Sequence, residues 1–189
     1  MRNLYHWEEG GLCLEIFSNG DKSMNTSGLK IPLIYTVSKI NALNWHVVLF
    51  LLNTKYWNYE DAIEYAKIVI GDIPEHDPVL IELLLLLSEE VKHGELVRQF
   101  IAELANDVDE LEQKHSFDKT LFLLLSWLYD NKDSYKNPFD MLTLAYLDFG
   151  YPEEIKKLSH PYSLTENEAI IVYQDWEQYL QDEAVRWGK

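Results

Sequence analysis

Apolar residues recur at every third or fourth position along most of the chain from Asn44 onward, which is the spacing of one face of an α-helix. In YEDAIEYAKIVI, which follows Asn58, the apolar side chains fall on a single stripe. Each such segment opens with a residue that can cap free backbone N–H groups, with a Pro at the first helical position, or with a Gly. The predicted openings are Asn44, Asn58, Asp77-Pro78, Gly94, Ser116, Asn137-Pro138, Tyr151-Pro152, and Thr165 with Glu168 as a capping box. The pattern predicts a mainly all-α fold of about eight short helices.

Two of these segments are almost entirely apolar, VLIELLLLL at 79–87 and LFLLLSWL at 121–128. A helix that is apolar on all sides is surrounded by other helices. Both segments are much shorter than the ~20 residues that a membrane span requires. We therefore expect the other helices to pack around these two, as antiparallel helical hairpins.

The first forty residues follow a different pattern. LCLEIF at 12–17 and LKIPLIY at 29–35 read as short strands around a polar loop, which predicts a small β-hairpin or an irregular arm. Pro32 would place the second strand at an edge. No linker divides the chain, so we expect one domain over 1–189, with the hairpin or arm at 1–40 and a helical body at 41–189.

The charge of the chain narrows the choice of partners. It has 32 acidic residues against 16 Lys and Arg, a net charge of −16. Nucleic acid is disfavoured, because binding a phosphate backbone requires clustered Lys and Arg. An acidic surface can attract a basic protein, or it can serve only to keep the protein soluble, and the sequence leaves both open. The single Cys13 excludes an internal disulfide, and no signal-peptide pattern opens the chain, so we expect a cytoplasmic protein.

The sequence contains no recognisable catalytic motif. None of its six His residues lies one helical turn from another, the usual local signal of a metal site. No Gly-rich phosphate loop occurs, and no Ser lies in a Gly-flanked turn. We predict no catalytic residue, no metal and no cofactor, while an enzyme of unrecognised type remains a minor alternative.

The stretch AYLDFGYPEEI at 145–155 can be read as a hinge or as a site. As a hinge, Gly150 ends one helix by adopting a left-handed conformation, and Pro152 opens the next. Glu153 and Glu154 then occupy a first turn, where the helix dipole favours negative charge. Local structure explains most of the stretch.

The hinge does not require Asp148 or Tyr151, and aromatic residues flanked by charge are typical of protein interfaces. We therefore predict a partner contact at this corner. Its residues are Asp148, Tyr151, Glu153 and Glu154.

The run DVDELE at 107–112 is a second candidate surface, because it has no Lys or Arg to offset its acids. The charges could steer a basic partner, or the run could be a solvated helix end or loop. Its carboxylates are Asp107, Asp109, Glu110 and Glu112.

Three motifs, LNW at 43–45, WNYEDAIEYA at 57–66 and AYLDFGYPEEI, resemble a family of small bacterial proteins classed as a domain of unknown function. The resemblance covers roughly 43–161. Members of that family resemble immunity proteins of bacterial polymorphic toxin systems, which bind and neutralise a toxin's effector domain. The resemblance implies no catalytic residues.

These observations lead to two hypotheses. The first is a non-enzymatic immunity protein whose acidic surface covers a basic toxin domain. The second is a helical scaffold or regulatory module that binds a peptide or partner helix in an apolar groove.

Overall fold

The computed structural model describes residues 28–41, 43–72, 78–79, 94–105, 110–159 and 164–189. Over these residues the protein is mainly α-helical and contains no strand, which confirms the helical fold class. The α-helices are α1 (Leu33–Lys39), α2 (Trp45–Asn53), α3 (Tyr59–Asp72), α4 (Gly94–Leu104), α5 (Glu110–Asp130), α6 (Pro138–Asp148) and α7 (Glu166–Trp187). Two short 3-10 helices, η1 (Lys132–Ser134) and η2 (Glu153–Leu158), flank α6.

Polar side chains cap the N-termini of several helices, as predicted. Four of them accept a hydrogen bond from a backbone N–H two or three residues further on: Asn44, Asn58, Asn137 and Thr165. At the start of α7 the Glu168 carboxylate also accepts from the backbone N–H of Thr165 (2.8 Å), which completes the capping box. Local sequence therefore determines where these helices begin.

The predicted cap at Ser116 is wrong, because α5 begins six residues earlier, at Glu110. Ser116 is buried inside the helix, where its hydroxyl donates to the carbonyl of Glu112 (2.8 Å). The first two turns of α5 are polar, so the apolar periodicity begins later than the backbone helix does.

The strand predicted at 29–35 is also wrong. Residues 28–32 have no regular secondary structure, and α1 begins directly after Pro32. Pro32 has a φ of −58°, which suits the start of a helix. Ile31 and Ile40, at the two ends of α1, are both buried. The other predicted strand, at 12–17, lies outside the described residues, as does most of the apolar helix predicted from 79 onward.

The core is built around α5, which packs against α1, α2, α6 and α7. α7 runs antiparallel to α5, because Tyr129 contacts Trp176 (5.1 Å between ring centroids) while His115, near the other end of α5, contacts Trp187 (5.2 Å). The end of α7 also contacts the segment after α1: the N–H of Asn41 donates to the carbonyl of Trp187 (2.8 Å). Within the described ranges, no helix combines the length and the apolar character needed to cross a bilayer.

Candidate protein-binding surface

The end of α6 adopts the left-handed turn that the sequence predicts. Gly150 has a φ of +72° and donates its N–H to the carbonyl of Leu147 (3.1 Å). The N–H of Tyr151 donates to the carbonyl of Tyr146 (2.9 Å). These two bonds form a Schellman motif, which satisfies carbonyls that the helix end leaves free.

Tyr151 is itself left-handed, with a φ of +65°. For a residue with a Cβ this conformation costs roughly 1–2 kcal/mol, and Gly150 already ends the helix without it. The side chain is 52% exposed and meets the Tyr146 ring edge-on at 5.3 Å. The sequence singled out Tyr151 but did not predict its backbone conformation.

Asp148, the other residue that the hinge left unexplained, lies inside the protein with an exposed fraction of 5%. The carboxylate faces Tyr56, whose pKa is raised by burial and then by this negative charge. The side chain of Asp148 is therefore a core group, and it does not form part of the surface to which the sequence assigned it.

Glu153 and Glu154 are exposed at the start of η2. The carboxylate of Glu153 accepts from Lys156 (3.0 Å), and this hydrogen bond is the main cause of the raised pKa of Lys156. Lys157, at the corresponding position relative to Glu154, pairs with Asp175 of α7 (3.0 Å). Glu154 itself lies within electrostatic reach of Asp118 in α5 and Tyr179 in α7.

Two carboxylates from other elements, Glu154 of η2 and Glu183 of α7, act on the carboxylate of Asp118 in α5. We call these three residues the acidic cluster: Asp118, Glu154 and Glu183. Burial is the largest cause of the raised pKa of Asp118, and Glu154 and Glu183 raise it further. Lys114 lowers this pKa more than Glu154 raises it, and Arg186 lowers it more than Glu183 raises it, so burial accounts for the net shift. The structure thus holds the Asp118 carboxylate in a partly buried position between two acidic and two basic neighbours.

Sequence reasoning missed Asp118 and Glu183, because neither residue stands out in a chain with so many acids. The pKa of Tyr179 reports the same surroundings: it is raised by burial and by all three carboxylates of the acidic cluster. Only the packing of α7 against α5 and η2 reveals the grouping.

The acidic run is only partly described, since Asp107 and Asp109 lie outside the described residues. Glu110 is the first residue of α5, and Glu112 accepts a hydrogen bond from the amide of Asn44 (3.2 Å). Glu112 and Asp118 lie less than two turns apart on α5, but six residues of an α-helix place them on different faces. Glu112 faces the start of α2, whereas Asp118 faces side chains of η2 and α7.

Among the described residues, no group of three or more His, Cys, Asp or Glu side chains has an arrangement that could hold a metal ion. Glu183 is instead engaged within the protein, accepting from the indole N–H of Trp187 (2.6 Å) and from Arg186 (2.9 Å).

Replacing Asp118 by Asn should stabilise the free protein at pH 7. The pKa of Asp118 is raised on folding, so at a pH above that pKa the charged carboxylate lowers the free energy of unfolding. Stability should therefore rise as the pH falls through the folded-state pKa, because the folded state binds more protons than the unfolded state there. In the variant, the free energy of unfolding should increase less as the pH falls. Urea denaturation from pH 3 to 7 measures both effects, and a variant less stable than wild type at pH 7 would contradict the assignment.

Comparison with known proteins supports the family resemblance. The model of an uncharacterised protein family conserved in bacteria, DUF2247, matches residues 34–184, so the match extends through most of α7. No curated protein and no solved structure shows a significant match to the chain. The chain therefore belongs to DUF2247, a family of uncharacterised proteins conserved in bacteria.

Proposed function

We propose that this protein is a non-enzymatic protein-binding module and, in particular, an immunity protein that neutralises a bacterial toxin domain by covering a basic surface. One observation carries the proposal: three separate elements place carboxylates within electrostatic reach at Asp118, where burial raises the pKa of this carboxyl. Burial penalises the charged form of Asp118 in the free protein. A partner that supplies Lys or Arg beside it would favour the charged form, which supports a basic partner.

The surroundings of the acidic cluster support the same proposal. α7 carries Arg186 as its only basic residue, against six acids: Glu166, Glu168, Asp175, Glu177, Asp182 and Glu183. Most of these acids are exposed. The basic residue, Arg186, lies in the last turn of α7, beside the acidic cluster. A negative field over such a surface raises the rate at which a basic partner is encountered.

The experiment has two steps. The first is to search the neighbouring genes for a large secreted protein and to co-express its C-terminal domain with this protein, with cell growth as the measurement. We expect the domain to arrest growth and this protein to restore it. An unrelated acidic protein is the control. If growth stays arrested when the domain is expressed with that control, negative charge alone does not explain the rescue.

The second step tests the acidic cluster by association kinetics with the same domain at two ionic strengths. Glu154→Lys should slow association at least about tenfold at low salt, because electrostatic steering sets the on-rate of such complexes. Glu103→Lys is the matched control, since it makes the same charge change on α4, which packs against α2 and α3. Equal slowing by both variants would show that the effect depends on net charge alone and that the acidic cluster is not part of the interface.

A further inference from the structure

We infer that Tyr151 is a preorganised aromatic anchor that inserts into an apolar pocket, rimmed by Lys or Arg, on the partner protein. This inference rests on the proposed function and adds the chemistry of the partner's binding site. It is carried by the backbone conformation of Tyr151 together with its exposure and its acidic neighbours.

The backbone at Tyr151 is strained in a way that the turn does not need. Lys55, the other described residue with a Cβ and a positive φ (+61°), is the second residue after α2, and this position is a common place for a left-handed residue. Tyr151 differs, because Gly150 already fills that role for α6 and Tyr151 is a second left-handed residue in succession. A Gly at 151 would give the same chain path without strain, so what the Tyr adds is its side chain.

The side chain of Tyr151 is presented as an interface residue would be. Its ring is held edge-on by Tyr146, which limits the rotamer freedom that binding would otherwise cost. Leu147, 43% exposed one turn earlier on α6, extends the apolar surface beside it. Tyr is one of the three residue types, with Trp and Arg, in which interface hot spots are enriched.

The charges next to this apolar surface define the partner. Glu153 and Glu154 follow Tyr151 directly in η2, and Glu154 belongs to the acidic cluster. An apolar pocket with a basic rim matches this combination of an aromatic centre and an acidic edge. Lys156, which pairs with Glu153 in the free protein, could be displaced by such a rim because the pair is exposed.

The test separates the ring from the backbone by comparing Tyr151→Ala with Tyr151→Gly. Both variants remove the ring, and only the Gly variant relieves the left-handed strain. Against the effector domain encoded next to the gene, both should raise the dissociation rate about 30-fold, as the loss of an interface hot spot does, with little change in association. In thermal unfolding, the Gly variant should melt about 2–4 °C above the Ala variant.

Lys55→Gly is the control for the backbone effect, since it relaxes a left-handed residue without touching the proposed anchor. It should leave the dissociation rate unchanged. If wild type binds and the two Tyr151 variants dissociate at the wild-type rate, the anchor is wrong and the proposed function stands. If the Gly variant melts no higher than the Ala variant, the strain is absent and the inference fails. If wild type itself does not bind the domain, the proposed function fails and the anchor fails with it.

Discussion

Replacing Trp176 by Ala should lower the free energy of unfolding by about 3–5 kcal/mol, the range for truncating a large aromatic side chain in a core. Trp176 is completely buried in α7. Its ring meets Tyr129 of α5 edge-on at 5.1 Å and stacks parallel to Tyr173 at 6.4 Å. Truncation would leave a cavity between α5 and α7, the two longest described helices, and would remove the contact between Trp176 and Tyr129.

Two further variants make this prediction specific. Val185→Ala changes an apolar residue of the same helix that is 89% exposed, and it should alter stability by no more than about 0.5 kcal/mol. Trp176→Phe should cost less than the Ala variant, because it keeps an aromatic ring and removes an indole N–H that has no hydrogen-bond partner among the described residues. Urea denaturation followed by circular dichroism measures all three. A loss below about 1 kcal/mol for the Ala variant would mean that α7 is not held by this contact.

The sequence predicted those features of the fold that depend on neighbouring residues. The caps at Asn44 and Asn137 and the capping box at Thr165 are local, because a side chain bonds to a backbone group two or three residues away. The errors occurred where local pattern and tertiary packing disagree. In LKIPLIY the apolar residues indicated a strand, whereas the chain forms a helix from Leu33, and Ile31 and Ile40, which flank this helix, are both buried.

The candidate site was predicted less well than the fold, because its properties depend on distant residues. Asp148 is buried next to Tyr56, which lies more than ninety positions earlier in the chain. The acidic cluster combines side chains of α5, η2 and α7, and no sequence pattern links them. Tyr151 was recognised from its charged and aromatic neighbours, but Gly150 alone satisfied every local rule for ending α6, so nothing indicated a second left-handed residue.

Phe149→Ala should also lower the free energy of unfolding by about 3–5 kcal/mol. Phe149 is the last residue before Gly150 and is buried where α2, α5 and α6 meet. Its ring lies 5.1 Å from that of Phe117, 5.9 Å from that of Phe50 and 6.3 Å from that of Tyr56. Aromatic pairs of this kind contribute about 0.5–1.5 kcal/mol beyond the area that they bury.

A milder variant tests whether this aromatic packing also supports the strained corner. Phe149→Leu should cost about 1–3 kcal/mol, because it keeps the site apolar but changes its shape. The N–H groups of Gly150 and Tyr151 bond to carbonyls of α6, and they lie directly after the substituted residue. Loosened packing should let this helix end open more often, so hydrogen exchange at these two amides should accelerate more than at the start of α6. Uniform acceleration along α6 would show instead that Phe149 stabilises the whole helix. In that case the hydrogen bonds of the turn alone would maintain the left-handed conformation of Tyr151.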